Sequence, residues 1–127
     1  MKIKLNSVYV DDQDKALKFY TEVLGFVKKN DVPFGQFRWL TVVSPDEPNG
    51  TELVLEPDEN PAAKTFKKAI FEQGIPLTAF QVDDIEKEFA RMKKFGVAFK
   101  KPPTPMGPVT LAMFDDTCGN YIQIYQV

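Results

Sequence analysis

The sequence predicts an α+β fold made of two βαβββ modules joined by a linker helix, and three observations carry that expectation. The chain repeats itself: Val10-Asp11-Asp12-Gln13-Asp14-Lys15 matches Val82-Asp83-Asp84-Ile85-Glu86-Lys87 at an offset of 72 residues. The spacing of apolar residues changes from strand-like to helical and back in the same order in each half. Each helical stretch is opened by an aspartate able to cap it and closed by a glycine, Asp11 or Asp12 with Gly25 and Asp84 with Gly96. Two units are too few for a solenoid, in which roughly three or more repeats share a core. Two modules paired around one site are the better reading.

Module 1 covers about 1–57. A strand over 3–10 carries Ile3, Val8 and Val10, and the helix after it places Ala16, Leu17, Tyr20, Val23 and Leu24 at 3.6-residue spacing. Three strands follow at roughly 26–31, 38–43 and 51–56, separated by Asp31-Val32-Pro33 and by the turn-rich SPDEPNG. Asn60-Pro61 reads as an N-cap with proline in the first turn. It opens a linker helix over about 60–74 with Phe66, Ile70 and Phe71 inward. Module 2, about 75–127, repeats the order: a strand at 76–82, a helix from Asp84 with Ile85, Phe89 and Met92 on one face, then strands near 97–101, 109–114 and 120–126. Within the repeat, Leu24-Gly25-Phe26 meets Phe95-Gly96-Val97, and Glu52 meets Gln123, at an offset of 71. Two segments read as loops that gate a site, 31–37 with two Phe beside Gly35, and the proline-rich flap Lys101–Pro108 with Met106 near its tip.

Composition narrows the function classes. The 127 residues fit one domain, and eleven Phe within a 43% hydrophobic chain supply a core. A net charge of −2 without a basic stripe gives no footprint for nucleic acid. No apolar run reaches the ~18 residues of a membrane span. The start shows no signal-peptide pattern, and a single cysteine cannot form an internal disulfide, so a cytoplasmic location is expected. The absence of histidine excludes every triad, dyad or zinc site built on imidazole. Cys118 follows Asp115 and Asp116, which disfavour a thiolate, and reads as structural.

The stretches VYVDDQDKALKFYTEVLGF and FDDTCGNYIQIYQ resemble the first strand and helix, and the last strand, of the glyoxalase/bleomycin-resistance/dioxygenase (vicinal oxygen chelate) superfamily. Thr117 stands where that pattern usually has proline. The resemblance implies curved mixed sheets forming a cup covered by helices, and commonly a homodimer. In metal-dependent members each half supplies two ligands, one from its first strand and one from its last. The matching positions here are Leu5, Glu52, Leu77 and Gln123. Leucine has no lone pair and an amide oxygen is a weak ligand, so neither a metal nor another cofactor is expected. A one-residue slip to Asn6 would turn Val8 and Val10 away from the helices. Glu56 joining Glu52 would suit a hard cation such as magnesium, but before Pro57 it reads as a solvated strand end.

Alternation assigns faces to each strand. With Val8, Val10, Leu40, Val42, Leu53, Leu55, Phe80, Val82, Ile122 and Ile124 as core, the other face receives Leu5, Ser7, Tyr9, Trp39, Thr41, Glu52, Val54, Leu77, Ala79, Gln81, Tyr121, Gln123 and Tyr125. The expected ligand-binding set is Ser7, Tyr9, Trp39, Thr41, Glu52, Gln81, Gln123 and Tyr125: aromatic walls with a few polar groups, as small-molecule sites have. The plain alternative is that these groups bond one another in a closed sheet face. Arg38, beside Trp39, is a candidate partner for Glu52 or an anionic ligand, or a surface residue. The expected function is metal-free binding of a small organic ligand by a homodimer. The alternative is an enzyme of lyase, isomerase or dioxygenase type, with a rearranged metal site or with Glu52 as base and Tyr9 or Tyr125 as donor.

Overall fold

The computed structural model describes residues 1–127. Contacts divide the chain into two units, Met1–Lys64 and Thr65–Val127, so the division falls inside the linker helix. Unit 1 contains β1 (Leu5–Val10), α1 (Gln13–Lys18) running into a π-helical turn at Phe19–Val23, β2 (Val27–Phe34), β3 (Phe37–Val43) and β4 (Glu52–Pro57). Its sheet has the order β1-β4-β3-β2, with β1 and β4 parallel and the other pairs antiparallel. The linker helix α2 (Pro61–Glu72) precedes β5 (Pro76–Gln81), α3 (Ile85–Lys94), β6 (Phe99–Met106), β7 (Val109–Asp115) and β8 (Tyr121–Gln126). The second sheet repeats the order as β5-β8-β7-β6, so the two modules are similar.

The helices begin where the aspartates and asparagine dictate. Asp12 accepts from the Lys15 amide, Asp84 from the Lys87 amide and Asn60 from the Ala62 amide, each satisfying a donor that the first turn leaves orphaned. Val8, Val10, Leu40, Val42, Leu53 and Leu55 are buried in unit 1 together with Ala16, Phe19 and Tyr20 of the helical segment. In unit 2, Ala112, Phe114, Ile122 and Ile124 are buried with Ile85 and Met92 of α3. Phe89, Phe99 and Phe114 continue that core as a chain of tilted rings, with centroids 4.7 and 5.7 Å apart.

Five expectations are corrected. Segment 31–37 is not an open loop: β2 runs through Pro33 to Phe34 and turns within Gly35-Gln36 into β3. The Lys101–Pro108 stretch is likewise strand up to Met106, despite Pro102, Pro103 and Pro105. Both are edge strands, the one place where a residue without an N–H interrupts no inner ladder. Register shifts at 99/101 and 101/104 absorb the remaining misfit. The first strand starts at Leu5 rather than Ile3, which is exposed.

In the linker helix Phe66 is 51% exposed rather than inward, whereas Ala63 and Lys67 are buried and Ile70 and Phe71 half-buried on one face. Lys67 tolerates burial because its Nζ donates to the Cys118 carbonyl at 2.7 Å. Phe71 stacks on Tyr121 with centroids 4.2 Å apart and planes 7° apart.

The repeat offset of 71 for the last strands is the fifth correction. Thr41 pairs with Val54 in β3–β4, and Met113, 72 residues after Thr41, pairs with Gln123 in β7–β8. Val54 therefore corresponds to Gln123, and Glu52 to Tyr121. The longer SPDEPNG turn displaces the sequence match by two residues, which preserves the face and changes the level.

Asp116 anchors the turn before β8. It is fully buried, and its carboxylate accepts from the Cys118 amide (2.8 Å), the Asn120 amide (3.0 Å) and the Asn120 side chain (2.9 Å). Thr117 sits at φ 65°, a value proline cannot take and one that strains a β-branched residue. Gly119 has φ +93°, a backbone conformation that favours glycine, and a Cβ there would displace the Lys67 amine, which lies 2.8 Å from its position. Cys118 is buried within this turn.

Candidate functional site

In unit 1 the register places one candidate residue after another on the sheet face opposite Val8 and Val10. Leu5 pairs with Glu52, Ser7 with Val54 and Tyr9 with Glu56 along β1 and β4. Thr41 pairs with Val54, and Val32 and Asn30 of β2 pair with Trp39 and Thr41. The β3–β4 ladder ends at Thr41, and Trp39 lies past it, on the same face as Thr41 and level with Val32 of β2. The register and the burial of Val8 and Val10 exclude the slip that would have brought Asn6 onto this face.

The aromatic and apolar members of this face are open. Trp39 is 38% exposed, and Leu5, Val32 and Phe34 are more exposed still. Val54 and Thr41 are buried between them. Glu52 Oε1 accepts from Thr41 Oγ1 and from Asn30 Nδ2, both at 2.8 Å. Thr41 Oγ1 also accepts from the Asn30 amide at 3.2 Å. Ser7 donates to Glu56 Oε1 at 3.1 Å. Thr41 thus orients Glu52 from below, and Ser7 orients Glu56. Asn30, beyond a register shift in β2, is the member that alternation from the sequence missed, whereas Glu56 shares the face of Glu52 in the sequence reading but reads there as a solvated strand end before Pro57.

Arg38 does not pair with Glu52. Its guanidinium bonds both carboxylate oxygens of Asp31 at 2.9 Å and also Asp14. Hydrogen bonding to Arg38 holds the Asp31 carboxyl down at about 2, and the same bond raises Arg38 above its ordinary value. Gln13 Nε2 donates to the carbonyls of Arg38 (2.8 Å) and Leu55 (2.9 Å), bridging β3 and β4 where their direct pairing ends. A cavity of about 260 Å³ opens beside it, lined by Asp11, Asp12, Asp14, Arg38 and Glu59 among others. Its arginine is already engaged and offers little to an anionic ligand.

In unit 2, Ala79 pairs with Gln123 and Gln81 with Tyr125, on the face opposite Ile122 and Ile124. Gln81, Gln123 and Tyr125 therefore share one face as alternation predicts. Tyr121, on the same face, is covered by Phe71 and has Lys100 Nζ 5.0 Å from its ring centroid.

The metal positions of the resembled superfamily can be tested on this geometry. Leu5 faces Glu52, so one carboxylate meets an aliphatic side chain. Gln123 faces Ala79, and Leu77 falls in a register shift. Nowhere are three or more His, Cys, Asp or Glu side chains grouped to hold a metal ion. This donor set does not fit a site needing three or four protein ligands. No helix is long and apolar enough to cross a membrane.

Comparison with known proteins decides the family. The model of the glyoxalase/bleomycin resistance protein/dioxygenase superfamily matches residues 2–124. The chain belongs to that superfamily. Among its superfamily relatives, YurT of Bacillus subtilis (strain 168) is 62% identical over 126 residues, covering 99% of both chains. The crystal structure of UcmS2 is similar with a TM-score of 0.85 and 32% identity, over 98% of this chain and 97% of that one. TnmS3 from Streptomyces sp. CB03234, described as an antibiotic binding protein, has a TM-score of 0.77 and 30% identity, over 99% and 95%. The superfamily scaffold hosts several chemistries, so function rests on the site.

Proposed function

We propose that this protein binds a small organic molecule without a metal ion on the sheet face of unit 1 lined by Ser7, Tyr9, Trp39 and Glu52, with Gln81, Gln123 and Tyr125 the candidate binding residues on the sheet face of unit 2. The observation that carries the reading is Trp39, 38% exposed on an inner strand and joined on the same face by exposed Val32 and Phe34 of β2. Contiguous exposed apolar patches of this kind mark interaction or ligand-binding surfaces. Thr41 contributes by orienting Glu52. The similarity to TnmS3, an antibiotic binding protein, supports the same class of ligand. Leu5 and Ala79 opposite the two polar last-strand positions support a metal-free site. The proposed place of action is the cytoplasm.

The test is Trp39 fluorescence titrated with a panel of aromatic antibiotics, alongside elemental analysis of protein purified without chelator. Saturable quenching with far less than one metal per chain is expected. About one zinc, nickel, manganese or iron per chain, lost in Glu52→Ala, would overturn the metal-free reading.

The working form is proposed to be a homodimer. Edge strands β2 and β6, together with exposed Phe66 on α2, are surfaces that two-fold pairing would cover. Light scattering at tens of micromolar should give twice the 14.4 kDa chain mass, and a monomer mass would contradict it.

A further inference from the structure

The two modules differ at the outer end of one strand pair. In unit 2 the β7–β8 ladder runs from Asp115/Tyr121 out to Leu111/Tyr125 and Thr110/Gln126. In unit 1 the matching β3–β4 ladder stops at Thr41/Val54. Arg38 and Trp39, which stand 72 residues before Thr110 and Leu111, therefore have no ladder partner on β4. Pro57 follows Val54 by three residues, as Gln126 follows Gln123, and has no N–H with which to extend the pairing.

Gln13 takes the place of the missing ladder. It is the first residue of α1, and its repeat counterpart, the first residue of α3, is the buried Ile85. The Gln13 side-chain amide bonds as a peptide group would. Its Nε2 donates to the Arg38 carbonyl at 2.8 Å and to the Leu55 carbonyl at 2.9 Å, and its Oε1 accepts from the Arg38 N–H at 3.2 Å. The Arg38 guanidinium is fixed as well, by both Asp31 oxygens at 2.9 Å and by Asp14, the neighbour of Gln13. Trp39 is the next residue on the strand so held.

We infer that Gln13 is a positioning residue for ligand binding, which holds the unpaired end of β3 so that Trp39 stays fixed on the open face of unit 1; the inference rests on the binding reading above. Gln13 acts through the Arg38 backbone rather than by touching a ligand. A strand end without ladder bonds opens locally at low free energy. Ordering it at the moment of binding would cost affinity, and a strand fixed beforehand avoids that cost.

Gln13→Met in the full chain tests this, because methionine keeps the length of the side chain and removes its amide. Amide hydrogen exchange at Arg38 should quicken about tenfold, the scale of one lost hydrogen bond, while Thr110 in the intact β7–β8 ladder keeps its rate. In equilibrium dialysis at neutral pH, Gln13→Met should bind acridine about tenfold more weakly than the native chain, within the range of coupling between neighbouring residues. The same substitution made in Trp39→Ala should weaken binding no further. If Gln13→Met fails to fold, Gln13→Asn, whose shorter amide cannot span both carbonyls, should show the same pattern. Equal weakening in both backgrounds is the mark of a merely structural role, and that result, or an unchanged Arg38 exchange rate, overturns the inference alone. A native chain that does not bind acridine, or a Trp39→Ala protein that binds it as well as the native chain, overturns the binding reading and the inference with it.

Discussion

Trp39→Ala is expected to weaken binding of an aromatic ligand about thirtyfold while the protein stays folded. A wall residue at a binding centre typically contributes about 2 kcal/mol or more, and 1.4 kcal/mol corresponds to about tenfold. The stability cost should stay near the ~1 kcal/mol of an average substitution, because Trp39 is already 38% exposed and the core beneath it comes from Leu40 and Val42 on the other face. The opposite distribution identifies a packing residue: a loss of about 3–5 kcal/mol of stability, as for a buried large-to-small change. Urea denaturation and fluorescence-independent dialysis on the same variant separate the two.

Asp116→Ala should give the largest effect on folding. The carboxylate is fully buried and takes bonds from the Cys118 amide and from both the amide and side chain of Asn120. Alanine leaves those donors buried without their acceptor, at about 1–3 kcal/mol for each unsatisfied group. The turn also holds Thr117 and Gly119 at positive φ and offers its Cys118 carbonyl to buried Lys67. A loss of about 3 kcal/mol or more in urea denaturation is expected, with Asp116→Asn losing less. A change under about 1 kcal/mol would show that the turn is held by other means.

Much of this architecture was legible in the chain. The aspartate and asparagine caps, the glycine stops and the period of the apolar residues made all three helices and the βαβββ order of elements along the chain legible, because each is a local requirement of the backbone. Face assignment survived for Ser7, Tyr9, Trp39, Glu52, Gln81, Gln123 and Tyr125, since alternation follows from the pleat. What failed depended on neighbours the sequence does not name. Prolines at 33, 102, 103 and 105 signal loops, but an edge strand accepts them. A helical wheel puts Lys67 on the inward face beside Ile70 and Phe71, but that a lysine is tolerated there depends on the Cys118 carbonyl that its amine reaches. The repeat offset misled across the SPDEPNG turn, where one module is longer than the other. The fate of Arg38 needed the register of β2, which alone brings Asp31 within reach.

The central claim is that the sheet face of unit 1 around Trp39 binds a small organic ligand. Amide chemical-shift mapping of the labelled full chain with acridine tests it most directly. Saturable shifts should concentrate at Tyr9, Trp39 with its indole N–H, Glu52 and Glu56. Saturable shifts confined to α2 around Phe66, with the Trp39 indole unmoved, would contradict the account.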